Sequence, residues 1–308
     1  MNPTVSVIIP TYNCARFLPE ALDAVLNQTR PPDQVLVIDD GSTDDTAQVC
    51  ERYAGQIQYV HQPNAGASAA RNTALRLATG DFIALMDADD HITPDRFAKL
   101  AEALISRPDA VACFSGHWVF NEREETGRYP GVPDRGDRPP EDFAAFLLTI
   151  PMSGMLRRQA LEGLQFPVGV TTGEDMLFMA LLRRRGPFVI LPDVLYGYRR
   201  HAASATSRTT DLESVRQRVG WVRANAATHW PELDVDAFER LVWRALAEGV
   251  HGHYWARRRR EFLHLRQVLR EHWPAHLPTP PEARLRWYPE VVWRLKGLLD
   301  AARGRGAS

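Results

Sequence analysis

Cysteine is scarce in this sequence, and so are other features that would define a class of protein. The 308 residues include three cysteines, Cys14, Cys50 and Cys113, which lie far apart and have no metal-binding spacing. This number and spacing argue against a disulfide framework and indicate reduced thiols. An excess of one charge is also missing, because 37 Lys and Arg residues face 38 Asp and Glu residues, for a net charge of -1. The chain as a whole therefore has no attraction to nucleic acid or anionic lipid.

Long hydrophobic runs are absent as well. No stretch of the sequence reaches the roughly 20 apolar residues that span a bilayer. The chain opens on Met1-Asn2-Pro3 and a short apolar strand, without the basic region and long apolar core that secretion needs. We therefore expect a cytoplasmic protein, with the inner face of the membrane as a further place where it could act.

Short apolar segments alternate with helical patterns in the first part of the chain. Strands that are apolar throughout and separated by helices predict a parallel sheet covered on both faces. Ligands bind such sheets at the carboxyl ends of the strands. The predicted strands cover residues 5–9, 34–38, 57–60, 82–86 and 110–114, and the predicted helices cover residues 15–28, 44–53, 67–78 and 94–105.

Two changes in composition divide the rest of the chain. Gly, Pro, Arg and Asp are frequent from residue 121 to residue 140, which is typical of a loop or subdomain boundary. From Asp211 onward the pattern is mainly helical. We predict an α/β domain with two halves, residues 1–120 and 121–205, followed by a C-terminal helical extension, residues 206–308.

Four polar motifs occur in a fixed order along the predicted strands and helices. They are Pro10-Thr11-Tyr12-Asn13, Asp39-Asp40-Gly41-Ser42-Thr43-Asp44, Gly66-Ala67-Ser68-Ala69-Ala70-Arg71-Asn72 and Asp87-Ala88-Asp89-Asp90. This series resembles the family 2 glycosyltransferases, over about residues 4 to 205. The resemblance implies a GT-A nucleotide-diphospho-sugar transferase fold, a mostly parallel central sheet flanked by helices. It also implies a first half that binds the nucleotide sugar and a second half that binds the acceptor and holds the catalytic base.

The Asp87-Ala88-Asp89 motif follows a buried predicted strand, so both carboxylates can enter the binding crevice. Hard oxygen ligands suit Mg²⁺ or Mn²⁺, which would bridge the two phosphates of a sugar nucleotide. Such an ion stabilises the charge that grows on a departing diphosphate. The competing interpretation is a solvated acidic turn that caps the next helix.

The segment Tyr198-Arg199-Arg200-His201 is similar to one near the metal and the diphosphate in the resembling family. By that resemblance His201 is a third metal ligand or a phosphate donor, and Arg199 could neutralise phosphate. A solvated histidine in a basic loop is the alternative.

The resemblance places Asp40 against the nucleotide base, in a pocket lined by Pro10, Thr11 and Tyr12. A fixed carboxylate acceptor can reject bases that lack a donor. Asp39 and Asp40 could instead initiate a turn before the following helix. Arg71 would contact the base or a phosphate, and the alternative is a helix-surface arginine paired with a nearby acid.

Glu174-Asp175 resembles the acidic motif that opens a helix below the acceptor in this family. An inverting transferase needs one base to take the proton of the acceptor hydroxyl. We predict Asp175 as that base and Glu174 as its neighbour or an acceptor contact. Acids at a helix start also complement the helix dipole, which is the structural alternative.

The C-terminal third interleaves arginine with aromatic residues, most clearly over residues 251–274. Helices of this composition could lie on a membrane, pack on the catalytic domain, or form a homodimer. We expect a UDP-sugar donor, a saccharide or lipid-linked saccharide acceptor, and a role in surface polysaccharide or glycolipid biosynthesis.

Two other functions are compatible with parts of the pattern. An inactive homologue could bind nucleotide sugar or act as a scaffold, but its usual mark is the loss of Asp87, Asp89 or Asp175, and all three are present. A nucleotidyltransferase would be expected to carry a Gly-rich basic loop after the first strand, where this chain has Pro10-Thr11-Tyr12.

Overall fold

A computed structural model describes residues 2–121, 124–131, 153–170, 173–201, 217, 220–225 and 227–228. All of these belong to one compact unit, Met1–Pro231. The predicted division at residues 120 and 205 stays a prediction, and most of the predicted C-terminal extension lies outside the described residues.

The first part of the chain alternates between strands and helices, as the sequence pattern predicts. Each strand is followed by a helix that crosses back over the sheet, apart from the last. The elements are β1 (Val5–Thr11), α1 (Leu18–Leu26), β2 (Gln34–Asp39), α2 (Thr46–Glu51), β3 (Gln58–His61), α3 (Ala67–Leu77) and β4 (Phe82–Leu85).

The second part adds strands that the sequence pattern does not predict. The helix predicted over residues 94–105 begins at Arg96, so Pro94 precedes its first turn. The elements are β5 (His91–Ile92), α4 (Arg96–Ser106), β6 (Ala112–Phe120), β7 (Glu125–Tyr129), β8 (Met155–Arg157), α5 (Glu174–Arg183) and β9 (Phe188–Arg199).

The nine strands found among the described residues form one sheet in the order β3-β2-β1-β4-β8-β6-β9-β5, with β7 paired to β6. The pairs among β1 to β4 are parallel, as predicted. The other half is mixed, because β8 runs antiparallel to both β4 and β6, while β9 runs parallel to β6. Because β8 is antiparallel to both of its neighbours, β4 and β6 run in the same direction. β4, β6 and β9 therefore all end at the same edge of the sheet.

The core lies on both faces of the sheet, which explains why β1 has consecutive apolar residues from Val7 to Ile9. Val7 and Ile9 pack with α1 and α4 on one face. Ile8, between them, packs with α3 and α5 on the other face. Successive side chains of a strand point to opposite faces, so a strand buried on both has no polar alternation.

Within the described part of the chain, no helix is long and apolar enough to cross a membrane.

Candidate functional site

The loops that follow β1 and β2 are bound to each other through Asn13. Its backbone has a positive φ of 51°, a conformation that asparagine tolerates better than most residues. Its side-chain oxygen accepts a hydrogen bond from the Thr43 amide at 2.7 Å, and its own amide donates to the Ser42 hydroxyl at 2.9 Å. These bonds hold the two loops together at the carboxyl ends of their strands.

The predicted pocket residues meet at this edge. The amide of Asp40 donates to the carbonyl of Thr11 at 2.9 Å. Thr11 is buried, whereas the neighbouring Tyr12 is 47% exposed and presents its ring at the surface. Pro10, Thr11, Tyr12 and Asp40 therefore lie together, as the sequence predicts. Their contact with a base stays a prediction.

Asp40 is buried, and protein donors already contact both oxygens of its carboxylate. Gln62 Nε2 donates to Oδ1 at 2.7 Å, the Ala65 amide donates to Oδ1 at 3.0 Å, and the Gly66 amide donates to Oδ2 at 2.7 Å. Ala65 and Gly66 directly precede α3, so Asp40 fixes the start of that helix. The neighbouring Asp39 accepts from the Ser42 amide and the Tyr59 hydroxyl, as the turn interpretation predicts.

Arg71, on α3, joins two acidic motifs that are far apart in the sequence. Its guanidinium lies 2.7 Å from Glu174 Oε1 and 3.0 Å from Asp87 Oδ1. The side chain is 13% exposed and stacks over Phe166, with its central carbon 5.5 Å from the ring centre. Arg71 therefore pairs with nearby acids, as the alternative interpretation has it. Its side chain is buried, however, and not at the helix surface.

Desolvation of Arg71 acts to lower its pKa, but the charges of Asp87, Glu174 and Asp175 outweigh it and raise that pKa above its ordinary value. The guanidinium is therefore a permanent positive charge between the carboxylates. Whether it contacts base or phosphate stays a prediction.

The Asp87-Ala88-Asp89 loop follows β4, and its two carboxylates have different surroundings. Asp87 faces Arg71, and its side chain is 41% exposed. Asp89 is more deeply buried, and its Oδ2 lies 2.8 Å from His201 Nε2. Burial raises the pKa of the Asp89 carboxyl, the charge of Asp87 adds to that rise, and His201 opposes it. Ala88, between them, is buried.

The donor set is suited to a divalent ion only in part. Among residues that the structure describes, no group of three or more His, Cys, Asp or Glu side chains is arranged to hold a metal. The structure assembles one carboxylate and one imidazole, Asp89 and His201, while Asp87 pairs with Arg71. A carboxylate with an imidazole matches the ligand preferences of Mn²⁺, and substrate phosphates commonly supply the remaining ligands of such ions. These residues therefore fit an ion that the substrate completes.

Glu174 and Asp175 occupy the first turn of α5, after Gly173, whose φ of 80° starts the helix from a left-handed turn. Burial raises the pKa of Asp175 to about 6, the charge of Glu174 adds to the rise, and Arg71 opposes it. The largest cause of this rise is burial of the carboxyl. A carboxyl with this pKa is mostly ionised at neutral pH and can accept a proton.

The sequence patterns give no role to Asp90 and Tyr196, and they assign Arg199 to phosphate. Asp90, Tyr196 and Arg199 form a buried hydrogen-bonded cluster beside the Asp87-Ala88-Asp89 loop. The sequence signals were the extra acid directly after Asp89 and a tyrosine three residues before Arg199. Neither signal says that the two segments meet.

Comparisons with known proteins agree with this fold. Residues 6–165 match the family model for glycosyl transferase family 2. The uncharacterized glycosyltransferase YibD of Escherichia coli (strain K12) is 33% identical over 195 residues, which are 62% of this chain and 48% of that protein. The chain thus spans about half the length of this relative.

Two solved structures share the fold. One is TarS 1–349 of S. aureus in complex with UDP-GlcNAc, with a TM-score of 0.62, 22% identity, and coverage of 82% of this chain and 72% of that one. The other is the mannosyltransferase PcManGT of Pyrobaculum calidifontis in complex with GDP-Man and Mn²⁺, with a TM-score of 0.59, 21% identity, and coverage of 98% and 81%.

Proposed function

Because this chain belongs to glycosyl transferase family 2, we propose that it transfers a sugar from a nucleotide diphosphate sugar to a hydroxyl acceptor with inversion at the anomeric carbon. The observation that carries the proposal is the meeting of two acidic motifs at Arg71, whose guanidinium contacts both Asp87 and Glu174. This contact supports the proposal because it joins the proposed diphosphate-binding motif to the helix that begins with Glu174 and the candidate base, Asp175.

The reaction is a single displacement. The acceptor hydroxyl gives its proton to Asp175 while its oxygen bonds to the anomeric carbon, and the bond from that carbon to the diphosphate oxygen breaks. The nucleoside diphosphate leaves with the bonding electrons. Attack on the face opposite the leaving group inverts the configuration.

Asp89 and His201 would hold a divalent ion, and Asp87 would contribute its exposed carboxylate oxygen. Bound there, the ion would supply Lewis-acid stabilisation of the negative charge on the departing diphosphate. We favour Mn²⁺ over Mg²⁺ because of the imidazole, and the Mn²⁺ complex of the mannosyltransferase with a similar fold supports this choice.

Uridine diphosphate is our first choice of nucleotide, supported by the UDP-GlcNAc complex of the similar TarS structure. The acceptor we propose is a saccharide or lipid-linked saccharide, in surface polysaccharide or glycolipid biosynthesis. For this biosynthetic role, we propose that the transfer takes place in the cytoplasm, including at the inner face of the membrane.

The test is release of nucleoside diphosphate from a panel of UDP- and GDP-sugars in the presence of Mn²⁺. We expect turnover of one donor, and Asp175→Asn should lower that turnover by about 10² or more, the usual contribution of a general base, while donor binding persists. The control is Asp193→Asn on β9, whose carboxylate pairs with Lys99 and takes no part in the proposed site.

Two results would contradict the proposal. Donor binding without turnover of any donor would favour the inactive binding subunit. Proton NMR of the first-formed product should show the anomeric configuration opposite to that of the donor, and retention would exclude a single displacement.

A further inference from the structure

Asp90 is an aspartate beside the metal-binding motif that faces the protein interior. It is 1% exposed. Its Oδ1 accepts a hydrogen bond from the Arg199 amide at 2.8 Å, and its Oδ2 accepts one from the Tyr196 hydroxyl. Protein donors therefore contact both carboxylate oxygens of Asp90 in the protein interior.

Arg199, the last residue of β9, also contacts the loop that contains Asp90. Its Nε donates to the carbonyl oxygen of Asp89 at 2.7 Å, and its terminal nitrogen donates to Glu20 at 2.6 Å. Its guanidinium carbon lies 5.1 Å from the ring centre of Phe17 and 4.4 Å from that of Phe120. The sequence predicts a phosphate contact for this arginine, but in the structure two of its nitrogens donate to protein acceptors and two aromatic rings lie beside its guanidinium.

The two contacts fix the end of β9 against the loop after β4. His201 follows Arg199 by two residues, and its ring lies 4.6 Å from that of Phe17, with Nε2 at 2.8 Å from Asp89. The loop and the histidine are separated by 112 residues of sequence. The end of β9 also pairs with β5 and β6, and the contacts of Asp90 and Arg199 join it directly to the loop that holds Asp89.

We propose that Asp90, Tyr196 and Arg199 form a positioning cluster, which sets His201 against Asp89 and so determines the affinity for the divalent ion. The proposal rests on the proposed function, because it concerns the same metal site. The cluster contacts neither metal nor substrate. It acts through Asp89 and His201, as outer residues around metal ligands commonly do.

Tyr196→Phe is the most conservative test, because it removes one hydroxyl and keeps the ring that packs against Arg96. Binding of Mn²⁺ to the full-length protein with saturating UDP is measured from the electron paramagnetic resonance signal of free Mn²⁺. We expect the Kd for Mn²⁺ to rise about tenfold, the lower end of the effect of such outer residues. The matched control is Tyr53→Phe, whose hydroxyl donates to Asp23 and not to this cluster, and which should leave the Kd unchanged.

A double variant separates positioning from general weakening of the structure. Because the cluster acts through both Asp89 and His201, Tyr196→Phe should cause a smaller loss of Mn²⁺ affinity in a His201→Ala background than in the wild-type protein. An equal loss in both backgrounds would overturn the proposal, as would wild-type affinity of Tyr196→Phe.

If Tyr196→Phe does not fold, Asp90→Asn takes its place with the same expectation. Failure of both variants to fold, beside a folded Tyr53→Phe, would show that the cluster is required for folding and not for positioning, and would overturn the proposal. Wild-type protein that binds no Mn²⁺ with UDP would remove the proposed metal site itself. Wild-type binding with unchanged variants would remove this inference alone.

Discussion

Among single residues, Asp175 has the surroundings that matter most for the chemistry. Burial and Glu174 raise the pKa of its carboxyl to about 6. A base must be deprotonated to act, so kcat/KM should rise with pH up to that pKa and level off above it, with a slope of about tenfold per pH unit on the acid side.

The measurement is initial rates over roughly two pH units on either side of that pKa, at saturating metal. The residual activity of Asp175→Asn should lack the acid limb. A profile that is flat or falls with increasing pH through this range would remove Asp175 from the role of base.

Arg71 is the second residue with a predicted effect, this time on stability. Arg71→Met would leave Glu174 and Asp87 facing each other without the positive charge between them. We expect the free energy of unfolding to fall by about 2 kcal/mol, less than for a fully buried pair because Asp87 is partly exposed. Urea denaturation measures this change.

Arg76→Met on the same helix is the matched control, because Arg76 is exposed and its guanidinium donates to the Thr73 hydroxyl, not to an acid. It should change the free energy of unfolding by no more than about 0.5 kcal/mol. Equal losses for the two variants would contradict the bridging role of Arg71.

The sequence predicts the acids of the site better than their partners. The motifs identify Asp87 and Asp89 because they follow a strand, at the edge of the sheet where ligands bind. They identify Asp175 because it lies in the first turn of a helix. The contacts of Arg71 with Glu174 and of Asp90 with Arg199 join segments about a hundred residues apart. Local patterns carry no information on such contacts. From the sequence alone, Arg71 is therefore assigned to the base or a phosphate, Arg199 is assigned to phosphate, and Asp90 has no role.

At the scale of elements, Asp40 connects the end of β2 to the start of α3. Asp40→Ala would leave the amides of Ala65 and Gly66 without their acceptor. We expect the free energy of unfolding of the ligand-free protein to fall by about 2 kcal/mol, the cost of unpaired buried donors. Asp45→Ala is the control, since Asp45 is exposed and makes no side-chain capping bond at the start of α2.

Urea denaturation of both variants checks this prediction. Unchanged stability of Asp40→Ala combined with lost UDP binding would contradict it and would favour a direct contact of Asp40 with the base.

The elements themselves show where sequence patterns succeed. β1, β2 and β4 are apolar on both faces, and they are predicted within one or two residues. β5 and β8 have two and three residues, too few for any periodicity. The predicted strand ends at residue 114, but β6 continues to Phe120. The residues directly after the predicted end, Ser115-Gly116-His117, interrupt the apolar run. Pairing with β7 and β9 holds this extension, and such pairing depends on partners distant in sequence.

Across the whole described unit, the candidate site lies where the parallel half of the sheet meets its mixed half. The parallel half, β3-β2-β1-β4, ends in the predicted nucleotide loops and the Asp87-Ala88-Asp89 motif. The mixed half contributes His201 through β9, and α5 contributes Asp175. The predicted fold class is confirmed, and the predicted parallel sheet is correct for the first half only.

Calorimetric titration of the full chain with UDP, with and without Mn²⁺, tests the central claim most directly. The claim is that Asp89 and His201 bind a divalent ion together with the diphosphate. We predict that Mn²⁺ tightens UDP binding by about tenfold or more, a typical coupling between two ligands. Asp89→Asn should abolish this dependence, and Asp193→Asn should retain it. The same Kd for UDP with and without Mn²⁺ in the wild-type protein would contradict the account.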